Sequence, residues 1–221
     1  MTFRGFPAAA ITFFEQLEAD NTRTFWHANK STYDTAVKEP FDALAEALAD
    51  EYGVFKLFRP FRDARFSKDK TPYKTQAGSS GETEGGAALY VQISAKGLFV
   101  GTGHYMLATD QLTRMREAIA AAHTGAELET LVSNLKAAGY DIHSDPLKTA
   151  PRGYAKDHPR IELLRYKRLT VGKDFGTPKW LHTTKAVDQI RAVFVAAEPL
   201  NAWLDAHVGP STLPPPDWGR D

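Results

Sequence analysis

Between Arg59 and Lys74 the chain sets six basic side chains (Arg59, Arg62, Arg65, Lys68, Lys70, Lys74) against two acidic ones, Asp63 and Asp69. This is a local charge of +4 in sixteen positions, in a chain of 221 residues whose formal charge is zero. Solubility does not need such a concentration, and its natural chemistry is anion binding. Arginine forks match phosphate and carboxylate, while lysines act as mobile point charges. The expected anion contacts are Arg62, Arg65, Lys68, Lys70 and Lys74, with Tyr73 as a stacking or hydrogen-bonding partner. The same residues allow two other readings. Arg62 and Arg65 can pair internally with Asp63 and Asp69, and the lysines can form a solvated face.

Acid–base chemistry has weaker candidates. Asp63 lies inside the basic run, and Asp157-His158 stands just before Pro159. A histidine beside an aspartate can be an oriented general base. The competing reading, which we favour, is that Asp157 or His158 caps a helix beginning near Pro159. Ser67-Lys68-Asp69-Lys70 fits S-x-x-K formally, but Thr71-Pro72 follows at once and the pattern is not helical, so serine acyl transfer is not expected. The seven histidines form neither H-x-x-x-H nor H-E-x-x-H, and no metal site is expected; Asp141-Ile142-His143-Ser144-Asp145 is the nearest approach to a ligand string. Gly97, Gly101 and Gly103 fall within a predicted strand and match no phosphate-binding fingerprint.

These segments need a frame. Helical spacing predicts a helix over 8–19 after Pro7, and a second capped by Asn21 or Thr22 and carrying Trp26, Tyr33 and Val37. Pro40 ends or kinks that helix, and a continuation runs to Gly53. Val54 to Phe58 reads as a short strand leading into the basic segment. Residues 78–86, rich in glycine, serine and glutamate, read as a linker. Alternation predicts strands over 87–95 and 98–107, joined by a tight turn at Lys96-Gly97. Helices are then expected from a Thr109 cap, from a Thr124–Glu127 capping box, over 161–166, and from Thr183 or Thr184 to Gly209, with a strand over 168–171. The pattern predicts an α+β fold: an antiparallel sheet around a central hairpin, packed by N- and C-terminal helices. Residues 1–210 are expected to form one domain, and 211–221 an extended proline-rich tail.

Three blocks, 3–33, 58–75 and 151–165, resemble a family of bacterial and fungal proteins catalogued as domain of unknown function 2461. Its most specific part is the run RDARFSKDKTPYKT; the others are the tryptophan-containing helix whose first turns end with Asn29-Lys30 and the Gly153-Tyr154 pair ahead of Asp157-His158-Pro159. The resemblance implies no reaction, and no catalytic residue is carried over from it.

Composition adds exclusions. With no cysteine there is no disulfide, thiolate metal site or cysteine nucleophile. No apolar run approaches the ~20 residues that span a bilayer, and no signal peptide is recognisable, so a cytoplasmic protein without membrane partners is expected. The leading expectation is a protein that binds a phosphorylated or otherwise anionic small molecule through residues 62–74, with catalysis open and no cofactor called for. A nucleic-acid module is the first alternative, disfavoured for duplexes by the zero net charge. The second is a non-catalytic structural or interaction protein whose charged loop is internally paired.

Overall fold

Apolar spacing and a proline at the N-cap produce the first helix, α1 (Ala8–Ala19), which buries Ile11, Phe13, Phe14 and Leu17. The computed structural model describes residues 2–63, 65 and 68–214. Helix α2 (Arg23–Tyr33) is capped by Thr22, whose hydroxyl accepts the Phe25 N–H at 3.1 Å. Pro40 does not break the chain. A π-helical turn over Asp34–Lys38 feeds directly into α3 (Glu39–Tyr52), and this wider turn, in which the Glu39 N–H reaches back to the Asp34 carbonyl, immediately precedes Pro40. Gly53, at φ 72°, ends the run.

Strands β1 (Lys56–Leu57), β2 (Gln76–Glu82), β3 (Ala88–Ser94), β4 (Gly97–His104), β5 (Asp141–His143) and β6 (Leu169–Gly176) form one sheet in the order β1-β2-β3-β4-β6-β5. The β1–β2 and β5–β6 pairs are antiparallel, and β3 and β4 are the two arms of the expected hairpin. Helices α4 (Thr109–Ala120), α5 (Ala122–Ala137), α6 (Ile161–Leu164) and α7 (Lys185–His207) complete the α+β fold.

Some elements differ from the sequence reading. Residues 78–82 are not linker but part of β2, with Ala77, Ser79 and Gly81 buried on one face. A Cβ at Gly78 would collide with the Tyr90 ring, and one at Gly81 would lie 3.1 Å from the Phe55 ring. The small residues that resemble linker composition make room for aromatics. The strand expected over 54–58 shrinks to two residues, with Val54 exposed. Helix α5 begins at Ala122, and Thr124 donates its hydroxyl to the Ala118 carbonyl instead of capping. Thr109 is the first residue of α4, whose N-cap N–H, on Ala108, is accepted by Gln111 Oε1 at 2.9 Å. Pro199, a residue expected to break or restart a helix, lies inside α7, which continues through it.

The chain divides into two compact units. The first comprises residues up to Thr83, Leu89–Gly101 and Lys173–Val195. Its core is aromatic: Phe6 meets Phe41 edge-on at 4.9 Å, Phe13 meets Phe14 at 5.3 Å, and Phe194 of α7 packs on Tyr52 and Phe55. Arg191 bridges to Glu51 and donates to the Ala47 carbonyl, tying α7 to α3.

The second unit comprises Glu84–Ala88, Thr102–Gly172 and the residues from Ala196 onward. Its core gathers Met115, Ile119, Leu128, Val132, Leu164, Leu169, Val171, Leu200 and Leu204. Here Asp110 at the start of α4 accepts the Thr212 N–H at 2.8 Å and the Ser211 hydroxyl at 2.8 Å, while Arg114 donates to the Val208 and Pro210 carbonyls. These bonds dock the start of the predicted tail; Pro215–Asp221 lie outside the described residues. The Thr212 N–H, with help from Ser211 and Arg114, holds the Asp110 carboxyl below the usual carboxylate range. A depressed folded-state pKa contributes stability above the unfolded value near ~4 that is lost as pH falls through the folded one. Asp110→Asn should therefore melt below the parent at neutral pH, and thermal denaturation monitored across pH should show that gap closing on acidification below about pH 4.

Candidate functional site

The basic segment leaves the sheet and returns to it as a pinned loop. Phe61 and Tyr73 form an antiparallel bridge, Arg62 N–H donates to the Pro72 carbonyl at 2.9 Å, and Lys74 N–H donates to the Pro60 carbonyl at 2.8 Å. Below this neck sits Tyr73, 3% exposed, its ring stacked on Trp26 at 4.3 Å and 9°. Asn21 completes the anchor. Its Nδ2 donates to the Tyr73 carbonyl at 3.0 Å, and its Oδ1 accepts the Tyr73 N–H at 3.1 Å. One carboxamide thus satisfies both backbone groups of a buried residue, as a neighbouring strand would. Tyr73, expected as a ligand partner, is the root of the loop.

The arginines above are engaged. Arg65 grips Asp63 with two parallel bonds, Nε to Oδ1 at 3.1 Å and Nη2 to Oδ2 at 3.0 Å. Those bonds hold the Asp63 pKa down at about 2. Arg62 pairs with Asp69 and donates to the Thr71 hydroxyl at 2.8 Å. Asp69 also accepts the Thr71 N–H at 2.9 Å, the foremost reason its pKa is lowered. Lys68 and Lys70 are exposed at the tip, with Lys70 Nζ 3.5 Å from the Arg65 carbonyl. Lys74 lies at the base, its ammonium 5.6 Å from the centroid of Phe58, and partial burial, then the charge of Arg59, lowers its pKa. Ser67 of the S-x-x-K string lies outside the described residues, as does Phe66.

Asp157 and His158 belong to the second unit, whereas Asp63 belongs to the first. His158 Nδ1 accepts the Arg160 N–H at 3.0 Å, just ahead of α6. Asp157 is exposed. Within the Asp141–Asp145 string, Asp145 pairs with Lys167 at 2.7 Å, and no group of three or more metal-ligating side chains occurs among the described residues.

Beside the loop, the first unit has an open sheet face that sequence reasoning did not single out. Strand alternation sends Leu89, Val91, Ile93, Leu98 and Val100 inward and leaves Tyr90, Gln92 and Phe99 half-exposed. Phe58, Tyr90 and Phe99 form a row with successive centroids 6.3 Å apart. A cleft of about 410 Å³ opens here, lined by Glu18, Thr75, Gln76, Gln92, Ser94, Lys96, Phe99 and Asp174. The outward i, i+2 positions of β3 were the available signal; the linker reading of β2 hid the strand beside them.

A family model described as "Conserved hypothetical protein (DUF2461)" matches residues 9–203, and the chain belongs to that family. No curated protein and no solved structure matches the chain. No helix among the described residues is long and apolar enough to cross a membrane.

The anchor generates a direct expectation. Asn21→Ala strands the buried N–H and C=O of Tyr73, and should cost about 1–3 kcal/mol for each group left unpaired. Urea unfolding measures that loss, and amide exchange at Lys74 should accelerate with it.

Proposed function

We propose that the pinned basic loop is the docking surface for an anionic small molecule. The observation that carries this reading is a net charge of +4 on a segment whose shape is fixed: six basic side chains face two carboxylates, and those carboxylates, Asp69 and Asp63, pair with Arg62 and Arg65. The two arginines then act as braces that shape the loop, and the ammonium groups as the anion contacts. Exposed ion pairs contribute little to stability, typically about 0–1 kcal/mol, so a multivalent phosphate can also compete for their guanidiniums.

Catalysis is not part of this proposal. An Asp63 carboxyl held at about 2 is a poor proton carrier at neutral pH, and His158 spends a ring nitrogen on the Arg160 N–H. Because phosphorylated compounds cross hydrocarbon poorly, the cytoplasm is the compartment assigned to such a ligand and to the protein.

A specific observation favours a second reading. The Asp63 and Asp69 bonds, with Thr71, build a self-contained brace that needs no ligand. The two are separable with tripolyphosphate as the probe. On the anion reading, tripolyphosphate raises the melting temperature, the effect weakens with added salt, and Lys68→Ala/Lys70→Ala/Lys74→Ala lowers the affinity at least about tenfold, or about 1.4 kcal/mol. On the brace reading, tripolyphosphate does nothing, and Arg62→Ala lowers the melting temperature. Retention on single-stranded DNA with steep salt dependence would instead favour a nucleic-acid module.

A further inference from the structure

The cleft on the open sheet face begins at Thr75, one residue beyond Lys74. Its volume of about 410 Å³ suits a small molecule larger than a bare phosphate. Phe99 lines it with an aromatic ring, and Tyr90 and Phe58 continue the aromatic row to the ring beneath the Lys74 ammonium. Two carboxamides, Gln76 and Gln92, share the same face. The Tyr90 hydroxyl donates to Gln92 Oε1 at 2.9 Å, which orients that amide and leaves its NH2 as the group presented to a ligand. The lining also carries one cation, Lys96, and two carboxylates, Glu18 and Asp174, so its net charge disfavours phosphate while the carboxylates accept bonds from sugar hydroxyls or an exocyclic amine.

We infer that the ligand is a nucleotide, its base held in this cleft by Phe99 and the Gln76 and Gln92 amides and its phosphate directed to the Lys74 end. The identification of the phosphate site rests on the anion-binding reading above; the base site rests on the cleft. Each lining group excludes something. Inorganic phosphate gains nothing from the rings, and Glu18 and Asp174 outweigh the single cation, Lys96, in the lining. A sugar phosphate matches the carboxylates but leaves the aromatic row unused. A planar ring with donors and acceptors along one edge uses the ring and the amides together, as in stacking plus edge readout of an unpaired base. The same unit can come as a free nucleotide or as the end of a single strand.

Isothermal calorimetry on the full chain separates these cases, using the nucleoside 5′-monophosphates, a short single-stranded DNA, ribose 5-phosphate and tripolyphosphate. At least one monophosphate should bind at least about tenfold tighter than ribose 5-phosphate, and at least as tightly as the single strand. A tighter single strand with the same base dependence would support the base site and assign a strand end as its source. Phe99→Leu and Gln92→Ala should each erase most of that preference while leaving tripolyphosphate affinity and melting temperature unchanged. Equal binding of ribose 5-phosphate and the monophosphates would overturn the base site and leave the anion reading standing. Base-dependent binding without any response to tripolyphosphate would do the reverse, and silence from every probe would overturn both.

Discussion

Six basic side chains against two acidic ones leave a net repulsion within sixteen residues, and the exposed pairs that Asp63 and Asp69 make contribute little toward fixing the segment to the rest of the protein. The pairing of the Asn21 carboxamide with the Tyr73 backbone, under the stack of Tyr73 on Trp26, supplies what the segment lacks. Both lie below the charges, in an aromatic cluster shared with Phe13 and Tyr33. Fixing Tyr73 fixes the neck at Phe61 and Pro72, and the neck sets where the charged tip begins. The hydrophobic effect and two part-buried hydrogen bonds between uncharged groups thus hold the loop, and salt, which weakens the charges above, has little purchase on the anchor.

The charges themselves divide the labour. The planar guanidinium of Arg65 meets the Asp63 carboxylate with two parallel bonds, a fork geometry that suits arginine and not lysine, while Arg62 spends one nitrogen on both Asp69 and the Thr71 hydroxyl. The ammonium groups, which ask for no fixed partner geometry, remain at the tip and base. Internal pairing therefore gives each arginine an acidic partner without changing the net charge. A count of charges cannot distinguish these roles, but bond geometry can.

The sheet shows a comparable exchange. Strand β2 is built of alanine, glycine and serine where a central strand usually carries branched side chains, and its stability comes from what lies against it. Tyr90 covers Gly78 on the open face, and Phe55 covers Gly81 on the other. Bulk removed from one strand is supplied by rings from its neighbours, and the aromatic row beside the cleft follows from that substitution.

By itself the sequence determined the elements whose period is strong and local: α1, α2, the β3–β4 hairpin and the stop at Gly209 follow from apolar spacing, caps and glycine. It also determined the charge of the basic run and the membership that run betrays. Tertiary structure alone decided that Tyr73 is a root and that 78–82 is a strand, because both depend on partners distant along the chain. Asn21 lies 52 residues from Tyr73, and the ring that makes Gly78 necessary belongs to Tyr90 on the adjacent strand. Local propensity cannot register a space that another segment fills, so small residues resembled a linker until the rings that occupy their place were seen.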